Sequence, residues 1–191
     1  MTDVSVQNQI SELEKTILEH KKQLAELRLK LPRREVAEYT FHTGDDKTVK
    51  LSELFGDKNE LLVVHNMGKS CPYCTLWADG FNGLYFHLEN KAGFVVSTPD
   101  KPEVMKEFAE SRDWKFKTVS TFGTSFKRDF GFEKVNEDYW PGVSSFIKDE
   151  HGKVFHVSDA IFGPGDDFCS LWFFFDLLPN GSGDWHPKFK Y

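Results

Sequence analysis

A chain of 191 residues carrying 24 Lys and Arg against 30 Asp and Glu, for a net charge of −6, is long enough for one globular domain and an appendage, since domains cluster near ~100–150 residues. A hydrophobic fraction of 39% and a charged fraction of 28% exclude a disordered chain. The basic residues cluster no further than Lys21-Lys22 and Arg33-Arg34, which argues against a nucleic-acid partner, since binding phosphates needs clustered Lys and Arg.

The N-terminal sequence MTDVSVQNQI has no basic region followed by an apolar one, as a secretory leader would. Residues from about 5 to 30 lack Pro and Gly and place Ile10, Leu13, Ile17, Leu24, Leu27 and Leu31 at alternating spacings of three and four, with His20 in the missing place. That is a heptad seam, so a long helix is expected, ended by Leu31-Pro32. Two readings of the seam stand: a helix laid across its own domain, or one that pairs with a second subunit as a homodimer. The expected organisation is an amphipathic helix over residues 1–31 and an α/β domain over 32–191.

Glu35–Phe41 and Lys47–Leu51 flank a turn-rich stretch from His42 to Asp46, predicting a small hairpin. Ser52–Gly56 reads as a helical turn stopped by glycine, and Leu61–His65 as a strand buried on both faces. A helix follows from Pro72 to about Glu89, with Trp77, Phe81, Leu84 and Leu88 inward. Gly93–Ser97 is a second apolar strand, a helix runs from Thr98-Pro99-Asp100 to about Arg112, and Lys117–Ser120 is a short strand. Val143–Ile147 and Val154–Val157 bracket Lys148-Asp149-Glu150-His151-Gly152 as a hairpin, and an aromatic helix is expected over Asp167–Leu178. The longest apolar run, Leu171 to Phe175, is far short of the ~20 residues that cross a bilayer, so no membrane partner and a cytoplasmic location are expected. Alternating strands and helices give parallel strands with right-handed crossovers, with the last hairpin added antiparallel.

Three cysteines are too few for a disulfide scaffold, and Cys71-Pro72-Tyr73-Cys74 stands between a buried strand and a helix. CxxC in that setting is the thioredoxin-like signature. The fold class is therefore α/β, a three-layer α/β/α arrangement with a mixed central sheet, plus the long N-terminal helix. Two intervening residues let one helical turn bring the sulfurs together. With Pro72 at the first turn, Cys71 sits at the helix N-terminus, where unpaired N–H groups and the macrodipole stabilise a thiolate. Cys71 is then the nucleophile and Cys74 the resolving thiol, with Lys69 and Ser70 adding a positive charge and a hydroxyl.

Two other readings of the pair stand beside this one: half of a zinc site completed by Cys169 and a distant His, or two unreactive buried thiols. His65, six residues before Cys71, reads equally as the proton acceptor for Cys74 or as a core histidine. Cys169 reads as a small buried hydrophobe. The pair Trp77 and Phe81, i and i+4, reads as core, while Asp79 lies off that face. The chemistry requires no metal or cofactor. Its partners are a protein or small-molecule disulfide and a thiol reductant.

Leu31-Pro32-Arg33-Arg34-Glu35-Val36, Leu51–Gly56, Cys71–Phe81, Asp129-Phe130-Gly131 and Pro141-Gly142-Val143-Ser144 together resemble a largely bacterial thioredoxin-like family known as DUF899, related to the thioredoxins and peroxiredoxins. The resemblance spans most of the chain, is most specific from Cys71 to Phe81, and implies fold and site more than reaction. The tetrad is similar to that of dithiol glutaredoxins. Thioredoxins and glutaredoxins set a cis-proline before the strand that faces the dithiol; here Val143-Ser144 stands at that place and Pro141 comes earlier. Thioredoxins carry a buried acid where His65 stands, and peroxiredoxins a threonine where Gly68 stands, so peroxidase chemistry is the more distant alternative. By analogy with the fold, Tyr139-Trp140-Pro141 forms the lip of the dithiol pocket.

Overall fold

The computed structural model describes residues 3–45, 47–134 and 138–191. The chain opens with helix α1 (Asp3–Leu29), as the heptad spacing requires. Strands β1 (Arg34–Glu35), β2 (Thr40–His42) and β3 (Thr48–Lys50) follow, then a 3₁₀ turn over Leu51–Glu53. The predicted hairpin forms between β2 and β3, with Phe41 opposite Val49; Asp46 of its turn lies outside the described residues. Glu35, expected in the same strand as Phe41, instead pairs with Phe155 at the opposite edge of the sheet, next to Arg34 opposite His156.

The central unit is β4 (Glu60–His65), α2 (Pro72–Lys91), β5 (Gly93–Thr98), α3 (Pro102–Ser111) and β6 (Lys117–Ser120). A short helix α4 (Phe126–Asp129), which no periodicity announced, leads to β7 (Gly142–Lys148) and β8 (Val154–Ile161). The last helix, α5, spans only Leu171–Asp176. It begins later than the aromatic run suggests because the Asp166 carboxylate takes the N–H groups of Phe168 and Cys169 at 2.7 and 3.1 Å, holding that stretch in a turn.

Among the described residues the strands form one mixed sheet in the order β1-β8-β7-β4-β5-β6-β2-β3. β4, β5 and β6 are parallel, and β7 runs antiparallel to β4 on its other side. Right-handed crossovers in one direction along the sheet put their helices on one face. Accordingly Trp77, Ala78 and Phe81 of α2 pack with Val64, Phe94 and Val96, joined by Trp172 of α5. The return to β7 passes over the other face, where Phe126, Phe130 and Phe132 pack with Leu61, Val63 and Val95. The alternation Leu62/Val64 against Leu61/Val63 is the period of two that a doubly covered strand requires.

Leu84, expected inward, is half exposed, whereas Phe81, one turn after Trp77, is buried as expected. α1 lies against β8, held by Lys21 to Asp167 at 2.5 Å and by the Lys21 ammonium over the Phe173 ring. No helix among the described residues is long and apolar enough to cross a membrane.

Candidate active site

The parallel strands β4 and β5 end at the same edge, and the loop from Asn66 to Ser70 carries the chain from β4 into α2. Such carboxyl ends are where open α/β sheets place their sites. Gly68 adopts φ 104°, and a Cβ there would meet the Asp100 carboxylate at 3.1 Å, so glycine is the residue that fits. Asp100 latches the loop by accepting from the Lys69 N–H at 2.8 Å and the Thr98 hydroxyl at 2.6 Å. Asn66 closes it from inside, accepting from the Gly68 N–H at 2.7 Å and donating to the Cys74 carbonyl at 3.4 Å.

Cys71 is the N-cap of α2, extended at φ −95° and ψ 107°, with Pro72 in the first turn. Its sulfur accepts the Cys74 N–H at 3.1 Å, the place a capping oxygen normally takes. The Cys74 sulfur accepts the Met67 N–H at 3.4 Å. Both thiols are free, Cys71 partly exposed and Cys74 buried. The Cys74 thiol donates to Cys71, and that bond, with the N–H groups of Cys74 and Tyr73, lowers the Cys71 pKa from 9.0 to about 7 against the opposing effect of burial. The same hydrogen bond, then burial and the neighbouring thiolate, push the Cys74 pKa up. One turn of helix thus separates a more acidic thiol at the rim from a less acidic one beneath it.

The other expected residues divide. Pro72 caps the helix, Ser70 lines an open cleft of about 1200 Å³ beside Cys71, and Lys69 contributes its backbone N–H to the loop. Trp77 is buried in the α2 face of the core, where half-buried Val143 packs against it. Pro141 borders a small gap shared with Cys74, Trp77 and Phe162; the described residues contain no cis peptide. Tyr139 lines the cleft with Ser70, whereas the Trp140 ring lies under the Lys134 ammonium at 4.0 Å. Asp79 is not brought to the dithiol: it pairs with Arg112 and accepts the Trp114 indole N–H at 2.9 Å, tying α2 to the segment after α3.

His65 is fully buried on the face of Leu61 and Val63, stacked 3.9 Å from Phe132. Its Nε2 meets Ser144 Oγ at 2.8 Å, and Ser144 in turn donates to Asp159 at 2.5 Å. Because the serine proton goes to Asp159, Nε2 carries the histidine proton, and Nδ1 is left without a partner. Burial, then the charges of Lys127 and His156, hold its pKa well below 6.5. The structure gives His65 no bond to either cysteine. Cys169 is buried beside Phe162 and Trp172, as a small hydrophobe.

Lys127 went unnoticed in the sequence. It sits on α4 with the whole side chain buried, and its ammonium donates to Asn66 O at 2.9 Å, Ser97 O at 3.3 Å and Ser97 Oγ at 3.4 Å. Its position within Phe126-Lys127-Arg128-Asp129 looks like an ordinary charged surface turn; only the return path of the chain over the sheet makes it internal. No group of three or more His, Cys, Asp or Glu among the described residues is placed to hold a metal ion.

A family model described as a bacterial protein of unknown function (DUF899) matches residues 5–190. Among solved structures, the chain is similar to the peroxidoxin BcpB of Mycobacterium tuberculosis, with a TM-score of 0.56, 19% identity and 72% and 88% of the two chains covered. It is similar to reduced Prx3 of Vibrio vulnificus in complex with hydrogen peroxide, with a TM-score of 0.55, 16% identity and 71% and 90% covered. A peroxiredoxin-like protein of Aquifex aeolicus matches with a TM-score of 0.51, 20% identity and 68% and 74% covered. At these identities the likeness is one of fold, and that fold is thioredoxin-like. A search of the curated proteins finds no match.

Proposed function

We propose thiol–disulfide exchange through Cys71 and Cys74 as the reaction of this chain, which belongs to the DUF899 family. The supporting observation is the split between the two thiols: Cys71, partly exposed at a helix N-terminus with a pKa of about 7, and Cys74, buried with its pKa raised. A thiolate with a pKa near ambient pH is the optimal attacker. The Cys71 sulfur attacks one sulfur of a substrate disulfide, and the other leaves as a thiolate. Cys74 then attacks Cys71, forming the internal disulfide and releasing the second substrate thiol. A thiol reductant returns the pair to the dithiol, in keeping with a reducing compartment such as the cytoplasm.

The test is reduction of a model disulfide. Cys71→Ser is expected to abolish turnover, and Cys74→Ser to accumulate a covalent mixed disulfide on Cys71. Wild-type rates from both variants would reject the reading. Peroxide consumption lost with Cys71→Ser, and exceeding disulfide turnover, would favour the thiol peroxidase alternative.

A second reading, a dimeric scaffold or redox sensor, is favoured by one observation. The α1 seam remains exposed after α1 has docked on β8, with Leu13 62%, Ile17 52% and Leu27 60% accessible. A heptad seam of this length suits a second copy of the same helix. Sedimentation checks it: Leu13→Glu should convert a dimer to a monomer, and a wild-type monomer would end the idea.

A further inference from the structure

We propose that Lys127 is the positioning residue that supplies the buried positive charge against which Cys74 ionises in the resolving step. The inference rests on the exchange reaction proposed above. Lysine is almost never fully buried unless paired with an acid. Here the ammonium is held by two backbone carbonyls and one hydroxyl, with no carboxylate among these partners. One of those carbonyls belongs to Asn66, whose side chain donates to the Cys74 carbonyl and whose neighbour Met67 donates to the Cys74 sulfur. The lysine therefore underpins the loop that holds the resolving thiol.

The groups facing it come from four elements: Cys74 at the start of α2, Asp100 after β5, Glu133 after α4 and His65 at the end of β4. Burial brings the Lys127 pKa from 10.5 to about 7, while Cys74, Asp100 and Glu133 act in the other direction. Reciprocally, the Lys127 charge lowers the Cys74 pKa against the larger effects that raise it. His65 does not compete for this role, since its pKa is held well below 6.5 and its Nε2 proton is committed to Ser144.

In the resolving step Cys74 loses its proton to solvent and its sulfur bonds to Cys71 Sγ. The bond from Cys71 to the substrate sulfur breaks, and the electron pair leaves with that sulfur, which takes up a proton when its own pKa requires one. No further oxidant or reductant enters: the substrate disulfide is reduced and the dithiol is oxidised. In the mixed disulfide Cys71 no longer accepts the Cys74 thiol proton, but burial still disfavours a Cys74 thiolate, and a nearby ammonium lowers its energy.

The experiment follows the two releases of thionitrobenzoate when the reduced full-length protein reacts with dithiobis(nitrobenzoate). The first release reports attack by Cys71 and the second reports resolution by Cys74. In Lys127→Met the first is expected to keep its wild-type rate. The second should slow at least about tenfold at pH 7, the effect of one unit in the Cys74 pKa, and its pH profile should move upward. Lys127→Gln keeps a donor for the Asn66 carbonyl without the charge and should show the same slowing. Lys127→Arg keeps the charge and should restore the second release in part. An unchanged second release in the Met and Gln variants overturns the role of Lys127 and leaves the exchange reaction standing. Absence of the first release in the wild type overturns the exchange reaction itself.

Discussion

The rim and the floor of the site are built from the same turn of helix and behave oppositely. At the rim, Cys71 accepts the Cys74 N–H as a helix cap would and stays partly open to solvent. On the floor, Cys74 donates its thiol proton upward and is closed in by Met67 and Asn66. Desolvation works against ionisation at both places, and more so at the buried Cys74, but it is not the largest cause of the difference. The largest cause is the direction of one hydrogen bond, which favours the charged form of the acceptor and the neutral form of the donor. Identical side chains thus acquire different acidities from position alone.

The largest expected effect comes from erasing one side of that contrast. Cys71→Ser should remove disulfide turnover to background, while Cys74→Ser should allow a single attack and stop at the mixed disulfide, seen as an added mass on the intact protein. A subtler break is Cys74→Ala, which deletes the donor and leaves the cap. The Cys71 pKa should then rise from about 7 by roughly a unit or more, a tenfold fall in thiolate below the midpoint. Alkylation rates measured against pH check it; an unmoved midpoint would mean that the helix terminus alone sets the acidity.

Lys127 extends the contrast to stability. Its pKa is lowered on folding from 10.5 to about 7, so between those values the unfolded chain binds the proton that the folded chain has lost. Stability therefore rises with pH across that window. Denaturant melts under reducing conditions should show the wild type gaining on Lys127→Met by up to ~1.4 kcal/mol per pH unit from neutrality upward. A constant difference between the two proteins would count against a buried lysine that gives up its proton only above neutrality. The smallest effect belongs to α1. Leu13→Glu should leave both thiol reactivities as they were, since α1 packs on β8 and Leu13 is exposed.

Much of this was readable from residue order. The buried strand, the loop, the cysteine, the proline and the helix agree with one another, and local signals at Leu61–His65 and Pro72–Phe81 suffice to place the dithiol at a helix N-terminus. Right-handed crossovers then dictate which face α2 and α3 cover. What sequence spacing does not carry is contact across the sheet. Lys127 lies 53 positions from Cys74 and 61 from Asn66, and nothing local distinguishes it from a surface lysine. Asp100 reads as a helix-starting residue after Pro99, and only the fold turns it into the latch of the 66–70 loop. Glu35 departs from its expected strand for a related reason: a strand of two residues is assigned by the edge it reaches, not by its composition. His65 was correctly placed at the strand end, but its partner Ser144 lies on β7, which fixes its tautomer from 79 positions away.

The contrast between rim and floor is tested most directly by alkylating the reduced protein across pH and quantifying each cysteine separately by mass spectrometry. The structure predicts a midpoint of about 7 for Cys71 and a Cys74 that stays unreactive well past the ordinary thiol range of ~8.5. Two cysteines titrating together near that ordinary value would contradict the account.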